Sequence, residues 1–568
     1  MVNGPPSVFF VARSKLVARS KHRDPHARSR PGSARAARLL LSGALLLSGV
    51  LAARPAEQLG ARSGSAWRAP GPQPSRCAQA SRARHIALRG GGERRQIALR
   101  GGGGERLVLA VDAVGEYADE LSAECEARGG RLVQVWSEAF ASSELAGNEE
   151  LTGEERAELE ANRAPAAGAE LEWAVERFGG AAIAGVVCVS DHGLPTSERL
   201  AHALGCGGNG ILAARRDKFA MGECVRAAGL EAVRQTLVLD WGAALDFLKT
   251  LPADAPCVLK PRRGVASVGV YKASSRREAK AAFSTLLGMP VSVDQSVDVR
   301  EGILLQEFIQ GTEFAVDTVS CAGEHKVIHL WRYDKRELNG AHFVYQATIL
   351  CDGRSAEEEV VAAYACRVLD ALSVRDGPAH VEVRLAELPR GPCLIEANIG
   401  RWHGVPYSAM LGNLAQGYNA FGAVMDVCLC AESWQALPSR PVVQAHACMV
   451  HLVIKGVGRV VGVRLPEPGD EAFPSLVEAE SKYAVGSYIA RPSTDLKSDG
   501  GHLLLVSRSR EALEDDYARV LQAQHSFFEL EPDANAGAEA RFNDVPSCVQ
   551  ALLALDDGHE EEDAAARS

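Results

Sequence analysis

The chain has 568 residues, 46% hydrophobic and 24% charged, which excludes a small disulfide-stapled scaffold and leaves room for several cores. Its net charge of −10 is uneven: residues 1–104 carry about 19 Lys/Arg against about 3 Asp/Glu, leaving roughly −26 for the remainder. Among the 14 cysteines no CxxC pair occurs, and the close pair Cys428 and Cys430 lies in an apolar run, so the thiols read as reduced core residues and not as a disulfide framework or zinc site.

The amino-terminal stretch reads as targeting sequence. Residues 39–51 (LLLSGALLLSGVL) form an apolar run preceded by Arg35 and Arg38. The run fits a signal-peptide core and is short for a membrane span of roughly 18 residues or more. The Arg/Ser/Ala/Gly/Pro-rich stretch after it has the composition of a transit peptide. Together they resemble the bipartite presequence of algal plastids, with the secretory pathway or the cytoplasm as alternative addresses. HIALRGGGERR (85–95) is followed by QIALRGGGGER (96–106); such a short Gly-rich repeat reads as linker, with ordered structure expected from near Arg106. Arginine without interleaved aromatics gives no nucleic-acid arm.

Leu107–Asp112 and Leu132–Trp136 are apolar, β-branched runs flanking a helical stretch, with Ile183–Val189 a third. Strand, helix, strand in this span predicts a parallel α/β domain over 106–213. Charged helices are expected at Glu149–Arg163 and 171–178. From 214 to 430 the pattern predicts helices at Lys218–Gly229, Ala243–Leu251 and 356–372. It predicts strands at Thr236–Leu239, Cys257–Lys260, 303–308, 313–320, 326–332, 379–385 and 392–398. A carboxy-terminal lobe over 440–545 has strand candidates at 446–455, 458–465 and 502–507 and a helix at 510–524. The acidic tail 546–568 reads as disordered.

Three segments carry chemistry. Val258-Leu-Lys260-Pro261 ends an apolar strand in a lysine beside the loop Gly264-Val-Ala-Ser267-Val-Gly269, where an ammonium and backbone N–H groups can meet polyphosphate oxygens. Leu304-Leu-Gln306-Glu307-Phe-Ile309-Gln-Gly-Thr-Glu313 runs strand, glycine turn, strand. It supplies a polar acceptor, a backbone edge, apolar walls and a carboxylate at the spacing a nucleotide needs. His380-Val-Glu382-Val-Arg384 is followed by Glu396-Ala-Asn398. Alternation puts Glu382 and Arg384 on one face, and Glu396 and Asn398 likewise. Antiparallel pairing would converge hard oxygen ligands suited to Mg²⁺, which are costly to bury otherwise.

In this order, with Asp217-Lys218 opening a helix, the motifs resemble the ATP-grasp superfamily over roughly 210–425. QEFIQGTEFAVDTVS, HLWRYDK (329–335), GAHFVY (340–345) and GPCLIEANIGRWHG (391–404) look closest to the L-amino-acid ligase and carnosine-synthase-like branch. The resemblance implies an α/β and α+β architecture: an ATP-grasp fold preceded by a parallel α/β domain and followed by an α+β lobe. It implies ATP and Mg²⁺ as cofactors and an ADP-forming carbon–nitrogen ligase working through an acyl phosphate. The implied substrates are a small-molecule carboxylate and an amine, amino acids among them, with no nucleic acid, no stable membrane span and a homodimer left open. By position, Lys218, Lys260 and Ser267 would meet ATP phosphates, Gln306, Glu307 and the Ile309 backbone the adenine, and Glu313 the ribose. Glu382, Glu396 and Asn398 would ligate Mg²⁺, Arg401 would steady the transferring phosphoryl group, and Arg384 and His403 would meet the acid substrate. The sequence departs from the family pattern at Ala266 and Val268 in the loop, and Arg401 lies one residue beyond its usual spacing from Glu396. A ligase for other acids and amines and a non-catalytic ATP-binding protein are the rival readings.

Gly205-Cys-Gly207-Gly-Asn-Gly210 matches GxGxxG but follows a helical stretch, whereas the dinucleotide fingerprint requires strand, turn, helix. His446, Cys448 and His451 are irregularly spaced in an apolar strand and read as core.

Overall fold

The computed structural model describes residues 85–87, 96–98, 106–147, 151–179, 181–190, 193–264, 269–289, 298–400, 406–417, 419–440 and 442–532. The targeting run, the acidic tail, Ser267, Arg401 and His403 lie outside these. Ahead of Arg106, the two repeat copies form strands β1 (His85–Ala87) and β2 (Gln96–Ala98), paired antiparallel with Ile86 opposite Ile97.

The first layered unit comprises β3 (Arg106–Val111), α1 (Gly115–Ala127), β4 (Gly130–Val135), α2 (Glu138–Gly147), α3 (Gly153–Ala161), α4 (Glu170–Phe178), β5 (Ala182–Cys188) and α5 (Leu194–Leu204). β3 pairs parallel with both β4 and β5, and its residues are buried from Leu107 onward because helices cover both faces. The charged stretch near 150 forms α3, where Thr152 and Glu155 make a reciprocal capping box.

A four-stranded antiparallel sheet follows. It is built from β6 (Gln235–Val238), β7 (Cys257–Arg263), β8 (Tyr271–Ala273) and β9 (Asp298–Glu307) in the order β6-β9-β7-β8, with α6 (Lys218–Ala227), α7 (Trp241–Leu248) and α8 (Arg276–Leu287) packed around it. β10 (Thr312–Cys321), β11 (Glu324–Leu338), β12 (Ala341–Leu350), β13 (Gly377–Leu385) and β14 (Pro392–Ile399), with α9 (Ala356–Ala371), begin a second, larger sheet. α10 (Pro406–Gln416), α11 (Ala420–Leu429) and α12 (Ala431–Ala436) follow. The carboxy-terminal stretch contributes β15 (His446–His451), β16 (Gly458–Val463), β17 (Leu476–Ser481), β18 (Tyr488–Ile489), β19 (Gly501–Ser507), α13 (Arg510–Ala523) and β20 (Phe528–Pro532).

Three of these last strands extend the large sheet, whose order is β14-β13-β10-β11-β12-β15-β19-β17. Thr348 on β12 lies opposite Met449 on β15, so the backbone ladder runs unbroken from the central region into the lobe. β16, β18 and β20 form a separate three-stranded sheet.

Period-two alternation decides the faces of the large sheet. Phe314, Val316, Val381, Val383, Leu394 and Ala397 point to one side and join Val361, Ala365, Val368 and Leu369 of α9 in one buried cluster. Their alternates, Glu313, Asp317, His380, Glu382 and Glu396, therefore point to the other side, across which lies the smaller sheet. The cysteines described are free, none in a disulfide, and no helix among the described residues is long and apolar enough to cross a membrane.

Candidate active site

Two local devices bring the phosphate-directed lysines together. Asp217 caps α6 by accepting from the Ala220 N–H at 3.0 Å and also pairs with Arg262 on β7, tying the start of that helix to the strand that bears Lys260. Lys218, the first residue of α6, donates to the Gly264 carbonyl at 2.8 Å and to Glu396 at 2.9 Å. Lys260 is buried, 5% exposed. Its burial and then the neighbouring Lys218 ammonium push it down to about 8, against the opposing pull of Glu396, Glu382 and Glu313. The groups that act on Lys260 are thus four residues singled out by the sequence, drawn from three separate segments.

Glu382 and Glu396 face each other across β13 and β14, and Asn398 stands opposite His380. A register shift falls immediately after Glu382, where a bulge can re-aim a side chain. Two carboxylates facing each other, with an amide two residues along β14 and two lysines beside them, form an all-oxygen donor set that fits a hard divalent cation.

At the other end of the cleft the charges are already matched. Glu313 pairs with Lys335 at 2.5 Å and with Arg384; burial alone would raise its carboxyl, but Lys335 and Arg384 outweigh this and hold it below the usual range. The Lys335 ammonium also sits over the rings of Tyr345 and Tyr333, 4.2 and 4.6 Å from their centroids. Arg384 donates to the Ile309 carbonyl at 3.2 Å and lies over the Phe308 ring at 5.1 Å. The structure therefore places the Arg384 guanidinium at the hinge, engaged with Glu313, the Ile309 carbonyl and the Phe308 ring.

The hinge itself is the β9–β10 connection. Gly311 has φ +140°, and a Cβ there would stand 2.0 Å from the Leu385 carbonyl oxygen, so only glycine allows the two sheets to meet at this point. Glu307 turns its carboxylate away to Arg234, at 2.9 Å, and to Arg390, and its N–H donates to the Arg234 carbonyl at 3.0 Å, which leaves its own carbonyl as the part that can face a base. Phe308 N–H is spent on the Pro256 carbonyl at 3.1 Å, while for the Ile309 N–H no acceptor is found among the described residues. Gln306 donates to Gln235 at 2.8 Å and keeps its carbonyl oxygen as an acceptor.

Sequence reasoning passed over Lys335, Tyr333 and Asp317. The first two lie in the noted HLWRYDK segment, where alternation alone puts Trp331, Tyr333 and Lys335 on one face; their importance comes from partners on other strands. The glycine-rich stretch 205–210 holds no phosphate cradle. Gly205 is the left-handed cap of α5, and the Asn209 and Gly210 N–H groups are taken by Glu198 at 2.6 and 2.8 Å. Cys448 and His451 are buried in the large sheet.

A cleft between two antiparallel sheets, with lysines and carboxylates at one end and a glycine hinge with an open backbone donor at the other, defines a nucleotide-binding enzyme fold. Comparison with known proteins makes this specific. Residues 253–408 match the ATP-grasp domain family. Dapdiamide A synthase of Enterobacter agglomerans is 26% identical over 330 residues, covering 56% of this chain and 73% of that protein. The crystal structure of L-amino acid ligase from Bacillus licheniformis superposes with a TM-score of 0.51 at 19% identity, over 76% of this chain and 99% of that one. The chain thus carries an ATP-grasp domain over residues 253–408.

Proposed function

We propose that the chain is an ADP-forming carboxylate–amine ligase that activates an acid as its acyl phosphate and transfers the acyl group to an amine, amino acids being the substrate class. The observation that carries this reading is the convergence of Lys218 and Lys260 on Glu382 and Glu396, a phosphate-and-metal constellation beside a nucleotide hinge. The named relatives, a synthase and an amino acid ligase, support the substrate class.

Hydroxide is too poor a leaving group for an acid and an amine to condense directly in water. In the proposed reaction a carboxylate oxygen attacks the γ-phosphorus of ATP and the bond to the ADP oxygen breaks. Lys218 and Lys260 would balance charge on the phosphate oxygens. Glu382, Glu396 and Asn398 would hold Mg²⁺, which when bound neutralises and orients the polyphosphate. The Ile309 N–H and the Glu307 carbonyl would read the adenine edge and Glu313 the ribose. Arg401, by its position in the motif, would steady the phosphoryl group. The amine then attacks the acyl carbon, phosphate departs and the amine proton is released, in a cleft that keeps water from the anhydride.

The test is phosphate release by the chain with ATP, Mg²⁺ and pooled amino acids. Release that depends on amino acids supports the reading. Release only with other carboxylates or amines moves the substrate class, and ATP binding without substrate-dependent release makes the protein a nucleotide binder.

A further inference from the structure

On the cleft face, one charged pair has no part in the scheme above. Asp317 is 4% exposed and lies directly opposite His380 across β10 and β13. Its Oδ2 accepts from the Trp331 indole N–H at 2.8 Å and lies 3.7 Å from His329 Nδ1, and its Oδ1 is 2.6 Å from His380 Nδ1. Burying a carboxylate among such donors adds little to stability compared with an apolar residue of the same size. The opposite face of the same strands is apolar and packs without any such pair. The placement therefore calls for a use.

The geometry supplies one. With Nδ1 held by Asp317, the His380 ring has one remaining nitrogen, and Nε2 lies 3.3 Å from the Tyr333 hydroxyl and 3.5 Å from Glu382 Oε1. Asp317 also sits at a register shift on β10, and Glu382 at one on β13, so both ends of the contact occupy irregular points of otherwise regular strands. We propose that Asp317 and His380 are positioning residues that hold the Glu382 carboxylate in its metal-binding orientation, with Tyr333 bracing the imidazole from the side. This rests on the assignment of Glu382 as a metal ligand and extends it one layer outward. Metal ligands are commonly oriented by partners of this kind, whose loss weakens metal affinity by about 10–100-fold.

The experiment uses the full chain with ADP and Mn²⁺ as the probe ion, with free Mn²⁺ read by electron paramagnetic resonance. Binding of ATP in the presence of EDTA and metal-free melting temperature are measured alongside. Glu382→Gln is the control for the metal assignment, and His380→Gln and Asp317→Asn test the proposal; His380→Gln serves if Asp317→Asn fails to fold. The expected result is Mn²⁺ binding about 10–100-fold weaker in the test variants with metal-free ATP binding unchanged. Unaltered Mn²⁺ affinity in His380→Gln, with Glu382→Gln impaired, overturns the positioning role. Parallel losses of metal-free ATP binding and Mn²⁺ binding, with a lowered melting temperature, overturn it in favour of a purely structural pair. Unaltered affinity in Glu382→Gln overturns the metal assignment itself, and the proposal with it.

Discussion

The two ends of the cleft are both rich in charge yet hold it differently. At the hinge, Glu313 is shared by Lys335 and Arg384, and Glu307 by Arg234 and Arg390; each carboxylate is matched inside the protein. At the other end, two carboxylates face two lysines that crowd each other, and for the buried Lys260 ammonium no hydrogen-bond acceptor is found among the described residues. The hinge is thus a finished structure that presents backbone to a base, while the phosphate end is held in a state that a polyanion and a cation would complete. Charge matched internally should matter to folding, and charge left incomplete should matter to turnover.

The sharpest way to break this contrast is Glu396→Ala. It should lower substrate-dependent ADP release by about 10³-fold or more, since it removes a donor for the cation that offsets phosphate charge, with a smaller fall in melting temperature from the lost ion pair with Lys218. Full activity would remove the phosphate end from the chemistry. Lys260→Met should cost about 10²-fold in kcat and relieve rather than worsen the repulsion with Lys218, so calorimetry should show no loss of stability.

Glu313→Gln should behave in the opposite sense. It leaves Lys335 and Arg384 in a buried site without their carboxylate, at a cost of about 3–5 kcal/mol in stability, read as a shifted urea midpoint. A stability close to that of the parent would mean the hinge is not internally matched. The smallest effect is one of pH. Burial would raise the Glu307 carboxyl, but Arg390 and Arg234 more than offset this and hold it below the ordinary value of 4.5. Its contribution to stability is therefore full above that value and is lost as pH falls below it. Glu307→Gln should flatten the stability curve below pH 4.5, and an unchanged slope would deny that the pair matters.

The sequence made the phosphate end legible because its residues sit in short motifs whose alternation predicts their faces. Glu382 and Glu396, joined by a tight turn, are opposite each other in the structure for that reason. The hinge was legible in its backbone and not in its side chains. Glu307 and Glu313 both stood out, but the residues that neutralise them come from Arg234, Lys335, Arg384 and Arg390, which local pattern cannot connect to them. Asp317 was invisible for a like reason, since an aspartate in an apolar strand carries no mark of the histidine opposite. The fold showed a different limit: β12 was noticed as the motif GAHFVY and not as a strand, although it pairs with β11 across the Asn339-Gly340 turn, a local hairpin signal that the motif obscured.

The pairing of β12 with β15 bears on how the protein can be dissected. Because β15, β19 and β17 continue the large sheet beyond β12, the boundary suggested by composition near 430–440 does not coincide with a gap in the ladder. Deleting the lobe would uncover the β12 backbone, a row of unsatisfied donors and acceptors of the sort that recruits other chains. Fragments ending there should precipitate or pair edge to edge, so a minimal catalytic fragment needs the carboxy-terminal strands as its selvage.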